Sequence, residues 1–299
     1  MQWLNGSRRR DFDWRRAPLS QDAFEGKRIA VIGGTSGIGR AFAHAIAAKG
    51  AEVTVVGRTF LDQGVGRIRF IKADLALLKQ ARHVAQELPA ETLDALILTT
   101  GILAGRQRKE TPEGIELDLA VSYLSRFVIV REAAERLGAN RIVENGKPRV
   151  FIMGVPGVNQ KGSPDDLNSE GHYDSRTSHG NTIIGNEALV LDGATRYSHV
   201  NFYGLYPGLV KSNIFSGLLG QGSFSHRAVQ LLIGALFQSA QEYADKIAPL
   251  LVSPDIENHS GAMFNRHGDP IHASVQLTTG PVLQKIIGGS ERLVRKALG

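Results

Sequence analysis

The segment Gly33-Gly34-Thr35-Ser36-Gly37-Ile38-Gly39 constrains this chain more than any other. It follows a short β-rich run, Lys27-Arg28-Ile29-Ala30-Val31-Ile32. After it comes a helical face made by Ile38, Ala41, Phe42, Ala45 and Ile46, closed by Gly50. Glycines in this place let the backbone turn sharply and approach a pyrophosphate closely. The helix N-terminus then offers free N–H groups and the positive end of its dipole. A plain tight turn needs glycines too, but the flanking strand and helix supply the context of a nucleotide site. Gly33, Thr35, Ser36, Gly37, Ile38 and Gly39 are therefore the expected phosphate-binding residues.

The alternation continues along the chain. Strands are expected at 51–56, 67–73, 94–99, 149–153, 199–205 and 262–265, and helices at 76–88, 114–137, 187–195, 225–239 and 241–251. Continuous apolar strands between helices predict an α/β, Rossmann-type, doubly wound parallel sheet. No linker or composition shift divides residues 27–299, so they read as a single domain. Only Thr59 to Gly66 separate the second and third strands.

Of the 299 residues 42% are hydrophobic and 21% charged, which is ordinary for a soluble protein. The absence of cysteine rules out disulfides, a thiolate metal site and a cysteine nucleophile, and fits a cytoplasmic protein. The net charge of +6 owes much to Arg8, Arg9, Arg10, Arg15 and Arg16, so residues 1–26 read as a basic, partly disordered arm. The rest is nearly balanced, which gives no reason to expect a nucleic-acid partner. No window approaches the roughly 18 apolar residues of a membrane span.

The end of the second strand selects the nucleotide. A carboxylate there would bind the adenosine ribose, but the sequence has Gly57-Arg58-Thr59. Arg58 can pair with a 2′-phosphate, which favours NADP(H), although a solvated surface arginine would look the same. Asp74-Leu75, after the third strand, is placed to frame the adenine edge.

Several motifs in order resemble the short-chain dehydrogenase/reductase superfamily, nearest to its retinol-dehydrogenase-like branch, across roughly residues 27 to 268. Ile32 to Gly39 matches the family's T-G-x-x-x-G-I-G with isoleucine for threonine. Asp74-Leu75 matches its Asp-Leu pair, and Thr99-Thr100-Gly101 its Asn-Ala-Gly. Thr111-Pro112-Glu113-Gly114-Ile115-Glu116 matches the opening of its central helix. Pro207-Gly208-Leu209-Val210-Lys211-Ser212-Asn213 matches the proline-glycine loop that passes the nicotinamide. The resemblance implies that Thr100, Gly101, Pro207, Gly208 and Val210 contact the cofactor. It also implies a small-molecule substrate and a homodimer or homotetramer.

It implies a catalytic tyrosine, a lysine one helical turn later, a serine and an asparagine as well. In Val121-Ser122-Tyr123-Leu124 the asparagine is Ser122, and at the end of Arg149 to Val155 the serine is Val155. Asp165-Asp166-Leu167-Asn168 sets a register that puts His179 at the tyrosine, Ile183 at the lysine and Asn186 on a family asparagine. A rival register uses Tyr173, with Thr177 as its partner. No Tyr-x-x-x-Lys occurs in the chain. His179 can protonate an alkoxide without help from a lysine, or it is a histidine left in a site that has lost its chemistry. Residues 212–239 are expected to form a substrate lid or a packing helix. Tyr203 and Tyr206 read equally as substrate contacts or core. The leading expectation is an NADP(H)-dependent oxidoreductase of a carbonyl, enone or quinone by a non-standard mechanism. The alternatives are an inactive nucleotide sensor or partner subunit, and a non-redox cyclase, isomerase or lyase.

Overall fold

A computed structural model describes residues 6–103, 105–141, 146–208, 210 and 238–299. The strands are β1 (Arg28–Ile32), β2 (Glu52–Gly57), β3 (Ile68–Lys72), β4 (Ala95–Leu98), β5 (Arg149–Met153), β6 (Asn201–Leu205), β7 (Met263–Phe264) and β8 (Pro270–Ile271). They form one sheet in the order β3-β2-β1-β4-β5-β6-β7-β8, parallel throughout except for the antiparallel pair β7–β8. This is the doubly wound sheet expected from the sequence. The order reverses between β1 and β4, so a crevice opens at their carboxyl ends, where such sheets bind ligands.

Alternation along each strand feeds two cores. Ile29, Val31, Val53, Val55, Ile97 and Phe151 point to one face, where α1 (Gly37–Ala47) packs with a helix at Ala240–Val252. Ala30, Ile32, Leu96, Leu98, Val150 and Ile152 point to the other face. There α2 (Leu78–Glu87), α3 (117–133) and α4 (Ser175–Arg196) cover the sheet. The helix at Ala240–Val252 is α5, and α6 (Val282–Leu298) closes the second face against α2 and α4. At about 25 cal/mol per Å² of apolar surface, burial on both faces is the main term favouring this arrangement.

Two helices differ from the sequence expectation. α4 begins at Ser175, twelve residues before the expected start, because its first half is polar and glycine-rich rather than amphipathic. Tertiary packing holds it instead. A Cβ at Gly180 would lie 2.1 Å from the Lys161 carbonyl oxygen, and one at Gly185 2.7 Å from the Tyr123 ring, so both glycines permit close approach. α6 was not marked in the sequence at all. The expected helix at 225–239 and the lid at 212–239 fall outside the described residues, save Gln238 and Ser239. Ser239 caps α5 through a capping box with Glu242.

Residues 6–26, expected as a basic arm, lie against the domain through their apolar side chains. Trp14 is buried and its indole N–H donates to the Gly268 carbonyl over 2.7 Å. Phe12 stacks on His259 at 3.9 Å, and Phe24 is fully buried against the α1 side of the sheet. Arg9 N–H donates to Pro270 and His272 N–H to Ser7, so the arm lines the edge at β8. Arg8, Arg9 and Arg16 pair locally with Asp11, Asp13 and Asp269. The apolar residues between the arginines, not the net charge, decide where this segment lies.

Candidate functional site

The glycine loop joins β1 to α1 at the switch point. Gly33 has φ +85°, and a Cβ there would stand 2.8 Å from the Thr100 amide nitrogen. A Cβ on Gly39 would stand 2.4 Å from the Gly33 carbonyl oxygen. These glycines pack strand, helix and the segment after β4 together. Ser36, at the N-cap of α1, makes no side-chain cap bond, and the first turn holds no acidic residue. Its N–H groups and dipole thus face outward without an acidic side chain, beside the exposed Ser36 and Gly37 and the half-buried Ile38. Thr35 packs its side chain against Gly57, where a Cβ would come within 2.4 Å of its hydroxyl oxygen. This cradle fits the diphosphate of a dinucleotide.

Arg58 follows β2 and is exposed. The loop after it is folded back on α1, because buried Asp62 accepts from Arg40 Nε at 2.8 Å and lies 3.2 Å from His44 Nε2. The Arg40 guanidinium, with His44, holds the Asp62 carboxyl down to about 2. Asp74 is exposed and bends the chain into α2 by accepting from the Ala76 amide, while the Leu75 side chain is core. Gly208 has φ +68°, Pro207 accepts from the Gln238 amide group, and Val210 is buried.

The positions of greatest chemical interest meet where α3 faces α4. α3 starts at Leu117–Leu119, widens into a π turn at Ala120–Leu124, and continues at Ser125–Ala133. Such π turns often occur at functional sites because they free a main-chain carbonyl. Here the carbonyl of Ser122 accepts from Asn186 Nδ2 at 2.8 Å. The Ser122 hydroxyl donates to Asp118 Oδ1 at 2.5 Å and accepts from the Ile102 amide at 3.0 Å. Asp118 is fully buried, and its Oδ2 lies 2.7 Å from His179 Nδ1. His179 is partly exposed on the first turns of α4, with Ile183 one turn further along.

Tyr173, the rival to His179, precedes the Asp174 N-cap of α4 and donates its hydroxyl to the Gly105 carbonyl. Partial burial, with Glu116 and Asp118 close by, raises its pKa, but its hydroxyl is engaged by that carbonyl. Val155 lies just beyond β5, half-buried, with no side-chain donor to offer. Tyr203 and Tyr206 are core residues, and the Tyr203 hydroxyl donates to the Ile256 carbonyl at 2.6 Å.

Sequence reasoning missed two participants, Asp118 and Arg126. Arg126 is buried between α3, α4 and the carboxyl ends of β4 and β5. Its guanidinium donates to the Thr100 and Met153 carbonyls, to Thr100 Oγ1 at 3.3 Å and to Asn186 Oδ1 at 2.9 Å. Burial pushes its pKa down to about 9, against the opposing pull of Asp118. Asp118, Ser122 and Arg126 recur at four-residue intervals within a largely apolar helix. That spacing was the available signal, since polar residues on a core-facing stripe require partners.

The sequence profile of the short chain dehydrogenase family matches residues 27–144. An uncharacterized oxidoreductase of Saccharomyces cerevisiae is 45% identical over 289 residues, spanning 95% of this chain and 93% of that one. Retinol dehydrogenase 14 of Homo sapiens is 28% identical, over 80% of this chain and 78% of its own. A short chain dehydrogenase from Burkholderia cenocepacia, solved in complex with NADP, superimposes with a TM-score of 0.54 at 20% identity, covering 80% of this chain and 96% of that one. With its switch-point glycine cradle and its 45% relative, the chain belongs to the short-chain dehydrogenase/reductase family of oxidoreductases.

Proposed function

We propose that this chain is an NADP(H)-dependent reductase of a small carbonyl, enone or quinone compound, with His179 delivering the proton. The observation that carries the reading is the 2.7 Å contact between His179 Nδ1 and a fully buried Asp118 carboxyl. With Asp118 accepting at Nδ1, the ring keeps its hydrogen there and leaves Nε2 to exchange a proton with substrate. A histidine retained by chance gains nothing from a buried acid behind it, whereas a general acid gains a fixed ring and a fixed tautomer.

The cradle at Gly33 to Gly39 would hold the diphosphate, and Arg58 would take the 2′-phosphate. Thr100, Gly101 and the Pro207-Gly208-Val210 segment would flank the nicotinamide half. When bound, the cofactor would supply a hydride for the electrophilic carbon. His179 Nε2 gives its proton to the substrate oxygen, and solvent reprotonates the ring through its exposed side. Ser122 braces Asp118 from the opposite oxygen. Val155 donates nothing, so among the described residues the imidazolium is the group that would polarise the carbonyl. Ile183 presents an apolar wall where the family motif implies a lysine.

The test is incubation of the NADPH-loaded protein with a panel of aldehydes, ketones, enones and quinones, with products identified by mass. Reduction of at least one class is expected. NADPH binding without reduction of any acceptor would favour the sensor or partner-subunit reading. Product formation without any nicotinamide would favour the non-redox reading.

A further inference from the structure

Arg126 is a permanent charge in a place where protein folding alone gives little return for one. Its side chain is buried, and the acceptors it bonds are neutral: two main-chain carbonyls, a hydroxyl and an amide oxygen. Removing a guanidinium from water costs several kcal/mol unless a counter-charge meets it. The acidic group that acts on it is Asp118, two helical turns earlier, whose own oxygens are engaged by Ser122 and His179. Neutral hydrogen-bonding side chains would brace β4 and β5 without that cost.

The position gives the charge a use. Arg126 donates to Thr100, just past β4, and to Met153, the last residue of β5. A Cβ on Gly101 would lie 3.8 Å from its Nη2. Thr100 also packs on Gly33 of the phosphate cradle. A dinucleotide anchored at the switch point runs across the carboxyl ends of these strands. Its two redox forms differ there by one charge, because the oxidised nicotinamide ring is cationic and the reduced ring is neutral.

We propose that Arg126 is a redox-state selector: its fixed positive charge disfavours the oxidised, cationic ring and so makes the protein a preferential binder of NADPH over NADP⁺. This rests on the reading of the crevice as a nicotinamide nucleotide site. It goes beyond that reading by assigning a preference among cofactor forms: the reduced form is loaded and the spent form is released more readily. Arg126 remains charged at neutral pH even with its pKa lowered to about 9.

The experiment is equilibrium titration of the intact protein with NADPH and with NADP⁺, without substrate. Wild type is expected to bind NADPH at least about tenfold more tightly, the scale one buried charge exerts on another at an effective dielectric constant of about 20. Arg126→Lys keeps the charge and should keep most of the ratio. Arg126→Gln keeps hydrogen bonding without charge and should bring the ratio to within about threefold. The ratio separates charge from bracing, since a merely structural Arg126 would weaken both forms equally. Equal affinities in wild type, or an unchanged ratio in Arg126→Gln, would overturn the selector role alone. If Arg126→Gln does not fold, the wild-type ratio still decides. Failure of both nucleotides to bind wild type would overturn the nucleotide site, and the selector with it.

Discussion

His179 Nδ1 and Asp118 Oδ2 lie 2.7 Å apart, the acid fully buried and the imidazole partly open to solvent. The asymmetry fixes the roles: the sealed side orients the ring and the open side carries the proton. Asp118→Asn offers an amide that can equally well donate to Nδ1 and stabilise the wrong tautomer. Turnover should fall roughly 100-fold with little change in NADPH affinity, since such tautomer errors cost orders of magnitude elsewhere. Steady-state kinetics beside a binding titration checks this. Equal losses in binding and rate would make Asp118 a folding residue.

Arg58 provides the second prediction. It is exposed after β2, where it can meet a 2′-phosphate. A charge-assisted hydrogen bond contributes about 2 kcal/mol. Arg58→Ala should therefore weaken NADPH roughly 30-fold and leave NADH nearly unchanged. Titration with both nucleotides reads the difference, and parallel losses would remove Arg58 from the phosphate site.

The arm gives a stability prediction. Trp14 is buried and bonded to the Gly268 carbonyl 254 residues away. Trp14→Ala should cost about 3–5 kcal/mol, the range for truncating a buried aromatic. Thermal or denaturant unfolding measures it. A change under about 0.5 kcal/mol, typical of a surface substitution, would place the arm outside the folded unit.

Acid lability should trace in part to Asp62. Arg40 and His44 hold its carboxyl at about 2, below its ordinary value near 3.8. A depressed acid stabilises the fold above that ordinary value, and the contribution is lost as pH falls from about 4 towards 2. Asp62→Asn should flatten that part of the stability profile, followed by denaturation midpoints against pH. An unchanged slope would mean that the pair does not persist in solution.

The parallel sheet was legible because most strands are largely apolar runs and most connections carry glycine or proline. The glycine cradle was legible for the same reason, since its conformational demands leave few residue choices. Asp118 and Arg126 were not read because their meaning depends on α4, whose polar first half gives no helical period. Its glycines become intelligible only beside the Lys161 carbonyl and the Tyr123 ring. The arm's anchors were hard to see for a related reason: its arginines stand out in the sequence, while Phe12, Trp14 and Phe24 make its apolar contacts.

Single-turnover oxidation of bound NADPH by a reducible carbonyl, enone or quinone, compared between wild type and His179→Phe, tests the central claim most directly. The account predicts equal NADPH affinity and a rate at least about 100-fold slower in the variant, the lower range for removing a general acid. Equal rates in the two proteins would contradict the assignment of His179 as the proton donor.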